Sequence, residues 1–200
     1  MSPLDARICV RAWEVRRWIV LIAIGAALAG CGARPQPESA RTVAAFEVPL
    51  PTETDREQFL SVLRTAAQAE GMHVDVESTQ DLQNAARASP LLAMTLNAAV
   101  WRGIHDDEAI ASAMDHYDHL GQVWIAFSKG EDPALSSRFR ERAMQAIKLR
   151  WPETLALPIM PTGAIPLHKD LVQTPAGYVV KPSEAHKYQM EVNNSSSVAQ

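Results

Sequence analysis

Two stretches of this chain repeat their apolar residues at helical spacing, and both are fenced by residues that start and stop helices. Thr54-Asp55-Arg56-Glu57 has the form of a capping box, with a hydroxyl and a carboxylate each able to satisfy a free N–H of a first turn. Phe59, Val62/Leu63 and Ala66 then recur on one face, and Gly71 supplies a left-handed stop. A helix over 55–70 follows. Asp132-Pro133 places a capping carboxylate before a proline that fits only the first turn. Leu135, Phe139, Ala143 and Ile147 make the buried stripe of a second helix over 133–150. Lys148 and Arg150 lie in its last turn, where the helix dipole favours cations, and Trp151-Pro152 ends it. The segments between these helices alternate every second residue instead.

Arg41–Val48 reads as a first strand, His73–Glu77 as a short second one, Gln122–Ser128 as a strong one and Thr154–Ile159 as the last. Residues 78–90 are polar and fit a loop or a short helix. In Leu91–Trp101, Leu92, Met94, Leu96, Ala98 and Val100 alternate, although the alanines and leucines also suit a helix. A strand is preferred, because Gly103 and His105-Asp106-Asp107-Glu108 look like a turn into a second arm, Ala109–Met114. Strand, helix, strand, two middle strands, strand, helix, strand is an α+β order. It resembles the ferredoxin-like two-layer sandwich, which implies an antiparallel sheet with two helices on one face. Five prolines between 158 and 182 exclude a helix there. That stretch is expected to be an extended Pro-rich arm packed on the domain, with a hairpin turning at Thr174-Pro175-Ala176-Gly177. The expected organisation is a signal segment 1–30, a tether 31–40, a domain 41–160, an arm 161–190 and a disordered tail 191–200.

The first residues address the chain. Arg7, Arg11, Arg16 and Arg17 precede Trp18–Gly30, which is 13 residues without a charge and too short to span a bilayer comfortably. The run ends in Leu28-Ala29-Gly30-Cys31. Residues 1–34 resemble the signal peptide and lipobox of bacterial lipoprotein precursors. The resemblance implies cleavage before Cys31, a covalent lipid such as palmitate on its thiol, and attachment to a membrane. Residue 32 is Gly rather than Asp, which in that family implies sorting to the outer membrane, with the domain facing the periplasm. Arg16-Arg17 is weakly similar to a twin-arginine signal, but two ordinary n-region arginines are the preferred reading. The remaining 170 residues would carry 15 basic and 21 acidic side chains, and Cys9 would leave with the signal. No free thiol and no internal disulfide are then expected.

A net charge of −4 gives no support to nucleic-acid binding, and the common catalytic strings and phosphate loops are missing. The densest polar group is Asp115-His116-Tyr117-Asp118-His119. Asp115, His116, Asp118 and His119 have suitable atoms for a divalent ion. A single five-residue turn offers no scaffold for four converging ligands, so no high-affinity metal and no cofactor beyond the lipid are expected. A second element would have to lend a histidine from His73, His105, His168 or His186. Arg138 and Arg142 on the second helix, and Met160 and Ile165 in the arm, are candidates for contact with a partner. Trp101, Trp124 and Trp151 are read as core residues. The expected function is a membrane-anchored envelope protein with a binding or scaffolding domain, in a secretion or assembly machine. The alternative is a periplasmic enzyme acting on a cell-wall or small-molecule substrate.

Overall fold

The computed structural model describes residues 37–103 and 109–188. Cys31, the signal-like segment, His105 and the tail beyond 188 lie outside the described residues. The regular elements are β1 (Thr42–Pro49), α1 (Glu53–Ala69), β2 (His73–Val76), α2 (Thr79–Ala88), β3 (Asn97–Trp101), β4 (Ala111–Met114), β5 (Gln122–Ser128), α3 (Pro133–Arg150), β6 (Leu155–Ala156), β7 (Leu171–Thr174) and β8 (Gly177–Val180). The fold is α+β. β1 to β6 form one antiparallel sheet in the order β2-β3-β4-β5-β1-β6, and β7 pairs with β8 in a separate hairpin. Among the described residues no helix is long and apolar enough to cross a membrane.

Both expected helices form, with one correction at the first start. The capping box is made by Thr52 and Asp55, not by Thr54 and Glu57, and the helix begins at Glu53. Thr52 follows Pro51 in extended backbone, which is the conformation a capping residue needs, whereas Thr54 is already inside the first turn. Asp132 caps α3 by accepting from Leu135 N at 3.0 Å. Residues 79–88 are helical, started by Ser78. The strand expected over 91–101 is shorter: Pro90–Leu92 is a single 3₁₀ turn, and pairing begins only at Asn97. The last strand of the sheet is likewise cut to Leu155–Ala156, although Leu157 N still donates to Ala45 O at 2.9 Å.

Strand alternation gives the sheet two unlike faces. Val48 of β1, Val123, Ile125 and Phe127 of β5, and Ala111 and Ala113 of β4 point to one face. There they share a single buried cluster with Phe59 and Leu63 of α1 and with Phe139, Ala143 and Ile147 of α3. Phe139 packs against Phe127 with ring centroids 5.9 Å apart, and Trp151 meets Phe59 edge-on at 6.1 Å. Ala45, Trp124 and Ala126 point the other way. The Pro-rich arm lies on this second face, where Leu157, Ile159, Ile165, Leu171, Tyr178 and Val180 pack with them.

Candidate functional site

The second face carries the polar and aromatic residues. Glu47 and Trp124 are cross-strand partners of β1 and β5. The buried Glu47 carboxylate accepts from Trp124 Nε1 at 2.8 Å and from Tyr178 Oη of the hairpin at 2.7 Å. Among the described residues no cation lies within salt-bridge distance of it. Burial, and then the Glu47 carboxylate, push the Tyr178 phenol far above its ordinary value, so it stays a donor. This layer is the floor on which three histidines meet.

The turn after β4 is not the loose, solvated one its composition suggests. Asp115 is completely buried and acts as its staple. Its carboxylate accepts from Thr95 N at 2.7 Å, Thr95 Oγ1 at 2.6 Å, Leu96 N at 3.2 Å and Gly121 N at 2.8 Å. Gly121 takes a positive φ of 80° and its carbonyl accepts from Leu50 N at 2.7 Å. Four donors saturate Asp115, so it holds the loop and has no lone pair directed to a ligand. His116 stands beside His119 with ring centroids 5.4 Å apart, and burial, then the neighbouring His119, lower its basicity.

His119 is the centre. Its side chain is only 4% exposed, and Nδ1 lies 2.6 Å from Asp118 Oδ1. Burial alone would raise the Asp118 carboxyl. The hydrogen bond from His119 and the histidine charges outweigh it, and the group is held below the ordinary carboxylate value. With Asp118 as acceptor and Nδ1 as donor, Nε2 is the ring nitrogen left for another partner. That Nε2 is buried and has no hydrogen-bond partner among the described residues. Against this ring stacks His168 from the arm, with centroids 4.5 Å apart and planes 19° from parallel. Trp124 lies 5.1 Å from His119 and 6.0 Å from His168. One ligand atom from each of Asp118, His119 and His168 falls within 4.8 Å of the others.

The expectation of no metal rests on the lack of a second element. The fold supplies one in the turn His168–Asp170, so Asp118 and His119 gain a third group while Asp115 drops out. The remaining candidates lie elsewhere. Arg138 and Arg142 both pair with Glu70 at the end of α1, at 3.1 and 3.2 Å. Ile165 packs on the protein's own sheet. Met160 lines an open, shallow hollow with Arg41 and Lys129, and both of those cations face Glu38. Of the three tryptophans read as core residues, Trp151 joins the main core, Trp124 belongs to the site floor, and Trp101 has a buried Nε1 with no partner among the described residues. Glu47 and Tyr178 escaped sequence reasoning. A charged residue at an inward position of a strand ending in Val48 was the available signal. Compared with known proteins, the chain matches no family model, no curated protein and no solved structure, so its site is read from its own chemistry.

Proposed function

We propose that this chain is a lipid-anchored envelope protein whose domain carries an enzyme-type metal site, made by Asp118, His119 and His168, and acts on a periplasmic small-molecule or cell-wall substrate. The observation that supports this reading is that one ligand atom from each of these three groups lies within 4.8 Å of the others, while the His119 Nε2 is buried with no partner among the described residues. Two imidazoles and one carboxylate are a ligand set of the catalytic type, with a coordination position left for water or substrate. Asp118, His119 and His168 would hold the ion, and Zn²⁺ there would supply a water activated for attack near neutral pH. Two stacked rings cannot aim their in-plane lone pairs at one point, so capture of an ion requires one imidazole to turn. Of the two, His168 is the less buried, with His119 only 4% exposed. The anchor rests on Leu28-Ala29-Gly30-Cys31, with outer-membrane sorting from Gly32. The sheet is read as a ferredoxin-like plan, β6-β1-β5-β2, in which β3 and β4 are inserted between β5 and β2.

A scaffolding role is the second reading. Tyr117, Leu120 and Leu167 favour it, because they are exposed apolar residues beside the site histidines in sequence and offer contact area to a partner protein. Zinc titration of the full chain by calorimetry separates the two. Micromolar or tighter binding, lost in the His119→Ala/His168→Ala variant, is expected. Absence of binding below millimolar zinc would return the scaffolding reading to first place. Labelled fatty acid incorporated in the wild type and not in Cys31→Ser tests the anchor.

A further inference from the structure

Resting on that reading of the site, we infer that Tyr188 is a positioning residue that clamps the His168 turn, so that the end of the arm sets the metal affinity. The two halves of the site are held by different devices. Asp118 and His119 sit on the loop stapled by Asp115. His168 sits on a single 3₁₀ turn, His168–Asp170, which is too short to hold itself. What fixes it is the segment 181–188. Tyr188 Oη donates to the buried Asp170 carboxylate at 2.8 Å and accepts from Leu167 N at 3.0 Å. One hydroxyl thus spans both flanks of His168. Lys181 N donates to the Asp170 carbonyl at 2.8 Å, and Lys187 Nζ approaches the same carboxylate at 3.4 Å.

This arrangement does for His168 what a partner of a metal-bound imidazole usually does directly: it fixes where the ring can be. Loss of such supporting contacts typically weakens metal binding 10–100-fold. Tyr188→Phe keeps the packed ring and removes only the hydroxyl. In the full chain, Tyr188→Phe is expected to weaken zinc binding at least tenfold with the melting transition still cooperative. Without any metal, it should shift and broaden the imidazole proton resonances of His168 and His119, which stack on each other, and leave that of His73 in place. Asp170→Asn should reproduce both effects. Lys187→Ala, which removes the longer contact, should change affinity less than threefold. Wild-type chain that binds no zinc while Tyr188→Phe still displaces the His168 and His119 resonances defeats the metal reading and leaves the clamp standing. Unchanged histidine resonances in both Tyr188→Phe and Asp170→Asn, or zinc affinity equal to wild type in both, overturn the clamp.

Discussion

The two faces of the sheet are built from the same strands and do opposite work. On the helix side, β1 and β5 present Val48, Val123, Ile125 and Phe127, and the cluster they form with α1 and α3 is apolar throughout. On the arm side, the neighbouring residues of the same strands are Glu47 and Trp124, and the cover is a Pro-rich segment with a small apolar cluster. A strand cannot change one face without keeping the other, because side chains alternate with a period of two. One face can therefore be given entirely to burial, the largest favourable term in folding. The other is then free to hold buried polar groups, each of which must be hydrogen-bonded to be tolerated.

This division can be broken from either side. The largest effect is expected at Phe139, fully buried between α3 and Phe127. Phe139→Ala should cost on the order of 3–5 kcal/mol in urea unfolding, because a large ring is removed from a close-packed site. Zinc affinity measured where the variant is still folded should stay within a factor of two. A folded Phe139→Ala chain that no longer binds zinc would show that the faces are not separable. Next comes Asp115, which belongs to the polar side yet acts only structurally. Asp115→Asn replaces an acceptor of four hydrogen bonds by a group that turns donors toward donors. A loss of about 2–3 kcal/mol is expected. The same variant should release His119 from its stack with His168, so an unchanged histidine spectrum would sink the staple assignment.

The smallest effect belongs to the outer surface of the helix layer. The hydrogen bond from Arg138, assisted by Arg142, holds the Glu70 carboxyl below its ordinary 4.5 despite an opposing contribution from burial. A carboxyl with a depressed value in the folded state binds fewer protons there than in the unfolded chain. Its contribution is thus complete above pH 4.5 and is lost as pH falls through the depressed value. Thermal melts of Glu70→Gln and wild type should differ slightly at pH 6 and draw together as pH falls below 4.5, with the difference shrinking in high salt. A gap that does not narrow as pH is lowered below 4.5 would mean Glu70 acts by packing.

How much of this could be read from residue order depends on the range of the interaction. Asp132-Pro133 marks the start of α3 because a cap works over three residues, and Gln122–Ser128 is visible because its alternation is local. Thr52 was missed as a cap in favour of Thr54, since two hydroxyls two residues apart offer the same chemistry and only the backbone after Pro51 decides. Leu92 and Met94 alternate with Leu96, yet they stay out of the sheet. Asp115 captures the N–H groups of Thr95 and Leu96 from twenty residues away, which no window of the sequence contains. The site suffers most from this. Asp118 and His119 are adjacent and conspicuous, whereas in sequence His168 has the same standing as His73, His105 and His186, and only the lie of the arm across Trp124 sets it apart.

The place of β1 in the sheet has a consequence in time. It is the first strand among the described residues, and its two neighbours are β5 and β6. Residues 50–121 must be synthesised before β5 even begins. At bacterial or eukaryotic elongation speeds of about 5–20 residues per second, that is a wait of roughly 4–15 s. Throughout it, β1 has neither edge paired, and only local elements such as α1 and the β2–β3–β4 ladder can form. Non-local pairing of this kind is slow even once the chain is complete. A nascent chain of this design stays threadable, and exposed to whatever binds open strands, until β5 has been made, nearly two thirds of the way along the sequence.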